Sequence, residues 1–177
     1  MTLVIDLHTI NSTPKEYVAS FNESWWEEDP SGQVLGLASS VDLSVEIYKT
    51  KGNKFVVDGS LRGKLCLNCD RCLNKYIEDI ASDFRLFFLI ASDDENEKDN
   101  LKISDIDLDF DLAIDGKIDL SEIAREQIFI TIPMKCLCAD TCKGICHSCG
   151  KNLNFEQCDC SKIKSGRPVF SILDSLK

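Results

Sequence analysis

The spacing of the ten cysteines constrains this chain more than any other feature. Seven of them lie between Cys136 and Cys160, and the other three lie far upstream at Cys66, Cys69 and Cys72. A Cys-x-x-Cys turn directs two thiolates at one point, at a distance suited to Zn²⁺ with Zn–S bonds of about 2.3 Å. Two clusters separated by a long cysteine-free segment therefore predict a metal scaffold that ties two parts of the chain together.

The most specific metal signal is the run Cys146-His147-Ser148-Cys149-Gly150. Gly150 permits the positive φ with which the backbone turns back and points amide hydrogens at the sulfurs. Cys158-Asp159-Cys160 follows after eight residues and can supply the other two ligands. The sequence therefore predicts a closed structural zinc site made by Cys146, Cys149, Cys158 and Cys160.

The remaining cysteines predict a second zinc site. Two half-sites can meet across the fold: Cys69-Asp70-Arg71-Cys72 and Cys138-Ala139-Asp140-Thr141-Cys142. The spacing leaves an alternative open, in which Cys142 joins Cys146, Cys149 and one of Cys158 or Cys160. We favour two sites, because the alternative leaves Cys69 and Cys72 without partners. The two cysteines then left over, Cys66 and Cys136, are predicted to be small buried apolar residues.

Much of the rest of the chain alternates apolar and polar residues, a pattern typical of strands with one wet face. We expect strands at 41–48, 55–63, 76–90 and 101–118, a polar acidic loop at 92–100, an irregular or helical piece from Thr13 and an extended segment at 128–132. Residues 167–177 are expected to form either a helix that docks on this protein or a short helix presented to a partner. Asp119-Leu120-Ser121-Glu122 resembles a capping box and opens a helix. Trp25 and Trp26 are expected to place one ring in the core and one half-buried, with a partner-binding surface as the alternative.

Together these patterns predict an α+β fold: a mainly antiparallel β-sheet with one or two short helices and a C-terminal zinc-knuckle region. Residues 1–133 are expected to form an antiparallel β-rich body. Residues 134–177 are expected to form a cysteine-rich, zinc-binding region packed on that body.

Charge is distributed unevenly along the chain. The net charge of −10 argues against a surface that tracks nucleic-acid phosphates in general. From Met134 onward, seven lysines and arginines face four acids, a net +3, which leaves −13 for the preceding 133 residues. A zinc centre with four thiolates carries about −2, so part of the positive charge can be explained as balance for the cysteines.

Two features of the sequence bear on the compartment. Asp6 interrupts the N-terminal apolar residues, which have no preceding lysine or arginine, so the pattern is not that of a signal peptide. No apolar run approaches the ~20 residues that span a bilayer. We therefore expect a soluble, cytoplasmic protein without a membrane partner, in which the thiols stay reduced rather than forming a disulfide framework.

From about Gly59 to its C-terminus, the chain resembles the YceD family, the large ribosomal RNA subunit accumulation proteins. Five motifs carry the resemblance: Cys69-x-Arg71-Cys72-Leu73; Ile118-Asp119-Leu120 with Glu126-Gln127 and Ile132-Pro133; Cys142-Lys143-Gly144-Ile145-Cys146-x-x-Cys149-Gly150-x-Asn152-Leu153-Asn154; Cys158-x-Cys160; and Pro168-x-Phe170-x-x-Leu173-x-x-Leu176. The resemblance implies a bacterial, non-enzymatic factor that supports synthesis, processing or accumulation of large-subunit (23S) ribosomal RNA.

Three functions compete at this point. In a ribosome-assembly factor, Arg71, Lys143 and Lys151 would bind large-subunit ribosomal RNA or an acidic partner; a large-subunit ribosomal protein is the other candidate partner. In a protein-interaction adaptor, the zinc sites would only hold the tail in place. A redox enzyme acting through Cys69 and Cys72 is disfavoured, because no clear helix follows them to lower a thiol pKa. The pattern shows no nucleophile–base pair and no phosphate-binding loop, so we expect neither an enzyme nor a small-molecule substrate.

Overall fold

The computed structural model describes residues 3–26, 32–90 and 110–160. The predicted acidic loop at 92–100 and the predicted helix at 167–177 lie outside these residues. Eight strands occur in the described part: β1 (Val4–Asp6), β2 (Lys15–Phe21), β3 (Val34–Leu37), β4 (Val41–Lys49), β5 (Lys54–Asn68), β6 (Lys75–Ile90), β7 (Phe110–Ala113) and β8 (Lys117–Asp119). One α-helix, α1 (Leu120–Thr131), and three short 3₁₀ turns complete them.

Six of the strands form the main sheet, in the order β2-β4-β5-β6-β7, with β3 pairing with β5 beyond the end of β4. The hairpin of β5 and β6 dominates this sheet, since its register runs unbroken from Lys54 opposite Leu89 to Asn68 opposite Lys75. The prediction of a mainly antiparallel sheet is therefore confirmed. One pair departs from it, because β7 joins β6 in parallel.

The predicted strand at 101–118 is wrong for its described part. Residues 110–119 divide into β7 and β8, which belong to different sheets, since β8 pairs with β1 in a separate two-stranded sheet. The 3₁₀ turn Ile114–Gly116 separates them, with Asp115 and Gly116 at positive φ. The expectation for the segment after Thr13 is also wrong, because it forms edge strand β2 from Lys15 onward.

Helix α1 begins where the capping pattern predicts. The Asp119 side chain accepts a hydrogen bond from the Ser121 amide at 2.8 Å, which satisfies one of the free donors of the first turn. The predicted extended segment at 128–132 is wrong, because α1 continues to Thr131. Burial of Ile128 against the sheet outweighs the strand preference of its β-branched neighbours.

The core lies between α1 and the inner face of the main sheet. Leu120, Ile123, Ala124 and Ile128 of the helix are buried with apolar residues of β4, β5 and β6. Buried Gln127 adds a polar tie, since its side-chain oxygen accepts a hydrogen bond from the Ser82 hydroxyl at 3.1 Å. The first cysteine turn lies at the end of the β5–β6 hairpin, between Asn68 and Lys75.

The two adjacent tryptophans cover one end of this core. Both rings are half-buried, so the expectation that one would lie inside the core is wrong. Trp25 packs on Phe21 at 4.2 Å between ring centroids, and Trp26 packs on Phe129 at 5.7 Å. Arg125 lies over both indole rings, so this end of the core is sealed by aromatic and cation–π contacts.

Candidate metal centres

The first cysteine cluster joins the β5–β6 turn to the chain that follows α1. Cys69 and Cys72 belong to the turn between the two strands, and Cys138 and Cys142 belong to the segment after the helix. Their four sulfur atoms lie within 4.8 Å of one another. Three of the residues are buried and Cys138 is exposed, so the cluster closes one end of the body while one ligand stays near solvent.

The separations between these sulfur atoms suit a metal ion rather than disulfides. The Cys69 and Cys142 sulfurs are 3.8 Å apart, and the Cys72 and Cys138 sulfurs are 3.7 Å apart. A tetrahedral ion with bonds of about 2.3 Å separates its sulfur ligands by about 3.8 Å. A disulfide needs about 2.05 Å. The cluster therefore has the dimensions of a four-thiolate zinc site.

The two residues between Cys69 and Cys72 hold the two halves of this cluster together. Asp70 forms a reciprocal pair with Cys136: its amide donates to the Cys136 carbonyl at 2.8 Å, and its carboxylate accepts from the Cys136 amide at 2.7 Å. Arg71 donates from one guanidinium nitrogen to the carbonyls of Cys142 at 3.0 Å and Asp140 at 3.3 Å. Hydrogen bonds therefore join the β5–β6 turn to the segment after α1, in addition to the thiols.

The second cysteine cluster is built within one short stretch of chain. The sulfurs of Cys146, Cys149, Cys158 and Cys160 also lie within 4.8 Å of one another. The turn is set by a hydrogen bond from the Gly150 amide to the Cys146 carbonyl at 2.8 Å, with Gly150 at φ 72°. The Cys146 amide donates to the Lys151 carbonyl at 2.8 Å, which closes the knuckle. The structure therefore groups the eight thiols as two sets of four, as the favoured interpretation expected.

Asn154 links the two clusters. It lies in the loop of the second cluster, yet its side-chain nitrogen donates to the Cys142 sulfur of the first at 3.3 Å. Its side-chain oxygen accepts from the Lys143 amide at 2.8 Å. A hydrogen bond to a ligand sulfur is the outer-shell contact that orients and tunes metal ligands, so the second knuckle supports the first site directly.

The thiol pKa values within each cluster are pulled apart. Desolvation raises the pKa of Cys69, but backbone amides from both halves of the site, led by that of Cys138, bring it down to about 6. Desolvation and the neighbouring thiols raise the pKa of Cys138 to about 12. The amides of Ser148 and Cys149 bring the pKa of Cys146 to about 6, whereas the thiol of Cys149 raises that of Cys160 to about 12. Four adjacent thiols cannot all ionise without a compensating cation, which is the charge that a divalent metal would supply.

The three candidate nucleic-acid residues differ in their surroundings. Arg71 is exposed, but its guanidinium contacts the backbone carbonyls of the first cluster, and its own carbonyl accepts from the Ile145 amide at 3.0 Å. Lys151 is exposed and forms an ion pair with Glu156 at 3.2 Å. Lys143 is exposed beside Cys142, at the boundary between the clusters. All three surround the metal centres.

Two cysteines belong to neither cluster. Cys136 is fully buried, as predicted, and its sulfur accepts a hydrogen bond from the Gln33 side chain at 3.0 Å. Cys66 lies on β5 opposite Ile77 and is only partly buried, so the prediction of a buried residue is wrong there. Sequence reasoning missed Asp70 and Asn154 as supports of the clusters. The only available signal was that both are hydrogen-bonding residues inside cysteine turns.

The fold and the two clusters define a class: a mainly antiparallel β-sheet protein with one helix and two cysteine tetrads able to bind metal ions. The sequence model of the family described as large ribosomal RNA subunit accumulation protein YceD matches residues 57–177, more than half of the sequence. The chain therefore belongs to the YceD family.

Two curated relatives bear the name large ribosomal RNA subunit accumulation protein YCED homolog 1, chloroplastic. The Arabidopsis thaliana protein is 29% identical over 69% of this chain and 44% of its own length. The Zea mays protein is 29% identical over 67% of this chain and 47% of its own length. The chain thus spans about half the length of the relatives it matches. No solved structure matches it.

The family is named for an accumulation role rather than for an enzymatic activity. Within residues 3–26, 32–90 and 110–160, no helix is both long and apolar enough to cross a membrane.

Proposed function

We propose that this protein is a non-enzymatic assembly factor that supports synthesis, processing or accumulation of large-subunit ribosomal RNA. Family membership supports the link to the large ribosomal subunit. The observation that carries the proposal is a clasp made by the first tetrad, which joins the β5–β6 turn to the segment after α1, with the second tetrad forming the adjoining knuckle. In the proposal this clasp holds Lys143 and Lys151 beside an acidic body. Such a protein repels bulk RNA and contacts it only where the lysines are presented.

In this proposal each tetrad holds one zinc ion, with ligands Cys69, Cys72, Cys138 and Cys142 in the first and Cys146, Cys149, Cys158 and Cys160 in the second. Zinc would supply no chemistry beyond binding, because four thiolates close its coordination sphere. Residues 1–133 serve as the β-rich body, and 134–177 serve as the zinc-held region. The sulfur separations of 3.8 and 3.7 Å in the first cluster suit a metal rather than disulfides, which supports a reducing compartment such as the cytoplasm.

Lys143 and Lys151 are the residues proposed to contact RNA phosphate, with a large-subunit ribosomal protein as the alternative partner. Because Arg71 already donates to two backbone carbonyls, its main task is to hold the tail, and RNA contact is secondary for it. A few lysine contacts give weak, salt-sensitive binding, which suits a factor that leaves the mature particle.

A zinc-stapled adaptor without direct RNA contact is the second candidate. The Lys151–Glu156 ion pair favours it, since a lysine already paired within the knuckle offers less charge to phosphate. The two candidates predict different results for charge reversal at the knuckle surface.

Depletion of the protein is expected to lower large-subunit ribosomal RNA relative to small-subunit RNA, measured by quantitative RNA analysis. Complementation by Lys143→Glu with Lys151→Glu should fail while the zinc content stays at the native level. Lys15→Glu with Lys51→Glu, which reverses two exposed lysines on the body, is the matched control and should complement.

A normal ratio of the two RNAs on depletion would contradict the assembly role. Full complementation by the Lys143 and Lys151 variant, together with no crosslinking of RNA to these lysines in the native protein, would favour the adaptor.

A further inference from the structure

A groove of about 360 Å³ lies beside helix α1, on the part of the body formed by β6, β7 and β8. Its floor is apolar and consists of the buried residues Phe88, Ala113, Ile118 and Ile123. Two large apolar side chains on its lip face solvent, since Leu112 is 65% exposed and Ile114 is 79% exposed. Exposed apolar residues next to a concave apolar floor are typical of an interaction surface.

Carboxylates line the same groove. Asp111 on β7 and Glu122 and Glu126 on α1 are joined by Asp119, and Lys117 is the cation among them. Asp111, Glu122 and Glu126 form no ion pair within the described part of the chain. Burial and the charges of Asp111 and Glu122 raise the pKa of Glu126, as expected for neighbouring carboxylates that are not ion-paired.

The acids on the outer face of the β5–β6 hairpin differ from those of the groove, because they have ion-pair partners. There, acids are matched by cations across the strands: Arg62 with Asp83 at 3.0 Å, Lys64 with Asp79 at 2.9 Å, and Arg85 with Asp58. Each of these three acids has a cation on the neighbouring strand, whereas within the described residues Asp111, Glu122 and Glu126 have no ion-pairing cation and are left for the cations of a partner.

From this combination we infer that the groove is a docking site for a basic, amphipathic peptide segment of a partner protein. The apolar side chains of the segment would fill the floor and contact Leu112 and Ile114, and its lysines or arginines would face Asp111, Glu122 and Glu126. Charge complementarity of this kind favours association with a basic partner and excludes nucleic acid. The site lies apart from the cysteine clusters, so it would add a protein partner to the RNA contacts proposed above.

Fluorescence anisotropy with two labelled peptides of equal charge tests the inference on the full chain. One peptide is a short amphipathic lysine/leucine helix, and the other is an all-lysine peptide, which reports attraction to an acidic surface alone. The amphipathic peptide should bind at least about fivefold more tightly. Equal binding of both peptides, or no binding of the amphipathic one, would overturn the inference.

Two variants locate the binding. Glu122→Gln with Glu126→Gln should weaken the amphipathic peptide at least about fivefold, because it removes unpaired carboxylates of the groove. The matched control, Glu16→Gln with Glu46→Gln, removes the same charge from two exposed residues that face each other across β2 and β4. It should change binding less than about twofold. Equal losses in the two variants would show non-specific attraction and would overturn the inference.

Leu112→Ser with Ile114→Ser should weaken only the amphipathic peptide, with an unchanged thermal midpoint as the check on folding. An unchanged affinity for the amphipathic peptide would show that Leu112 and Ile114 take no part in binding, which would contradict the inference. None of these assays contains RNA, so failure here and a normal ribosomal RNA ratio on depletion are separate outcomes.

Discussion

The two cysteine clusters have the same chemistry but differ in how much of the chain they organise. The first brings together residues 69–72 and 138–142, which are separated by two strands of the main sheet and by helix α1. The second is complete within residues 146–160. A metal at the first cluster therefore closes a long loop and fixes the tail to the body, whereas a metal at the second shapes only a local knuckle.

Burial follows the same division. Cys69, Cys72 and Cys142 of the first cluster are buried, whereas in the second Cys149 is exposed and Cys158 and Cys160 are half-buried. The first cluster is also tied by Asp70 and Arg71, which make hydrogen bonds across the junction. The same Cys-x-x-Cys motif therefore contributes differently to the fold, depending on where in the chain its partner cysteines lie.

The largest expected effect separates the clusters by stability. Cys69→Ser with Cys72→Ser should lower the calorimetric midpoint of the whole protein by roughly 10 °C or more, because a structural zinc site can contribute on the order of 10 kcal/mol to folding. Cys146→Ser with Cys149→Ser should shift the transition of the body by only about 2 °C. Equal shifts of the thermal midpoint in the two variants would show that the two clusters stabilise the protein equally, which contradicts this difference.

Gly144 and Gly150 differ in how closely they approach the β5–β6 turn. Gly144 and Gly150 both have positive φ, at 75° and 72°. A Cβ on Gly144 would lie 3.0 Å from the Arg71 carbonyl oxygen, whereas a Cβ on Gly150 would meet nothing within 4 Å. Gly150→Ala should cost about 1 kcal/mol for backbone strain alone. Gly144→Ala should cost about 1–2 kcal/mol more in the free energy of unfolding, measured by urea denaturation, because the junction must also move.

If the two glycine substitutions cost the same, the Arg71 contact contributes little to the junction. The clasp would then depend on the thiols and on the hydrogen bonds between Asp70 and Cys136.

The smallest expected effect concerns the link between the clusters. Asn154 donates to the Cys142 sulfur and is the first cause that lowers the pKa of Cys142. Asn154→Ala should raise that pKa, so protons compete with the metal sooner and zinc leaves the first cluster at higher pH. An acid titration with a chromogenic zinc chelator should show a loss of affinity of about tenfold. If the variant released zinc at the same pH as the native protein, the two clusters would be independent.

The strand pattern of the body could be predicted because it is dictated locally. Alternation at 41–48 and 76–90 matches β4 and β6, whereas the predicted strand at 55–63 covers only part of β5, which continues to Asn68. The segment at 128–132 could not be predicted in this way, because tertiary burial of Ile128 overrides its strand preference. The break between β7 and β8 depends on pairing with β1, more than 100 residues away in the chain.

Spacing alone left the grouping of the cysteines open, and two sites were favoured because the alternative left Cys69 and Cys72 without partners. The residues that support the cysteines could not be predicted. Arg71 looked like a phosphate-binding residue because it is a cation in a knuckle, yet its guanidinium contacts the carbonyls of Asp140 and Cys142. Asp70 and Asn154 act on residues 66 and 12 positions away. Such contacts depend on how two turns meet in space, which no local pattern encodes.

Each tetrad is expected to bind one metal ion. Elemental analysis of the full chain, purified without added metal, measures this. We expect about two equivalents of zinc in the native protein, and about one in both the Cys69→Ser, Cys72→Ser variant and the Cys146→Ser, Cys149→Ser variant. One equivalent in the native protein that survives loss of Cys69 and Cys72 would contradict this expectation.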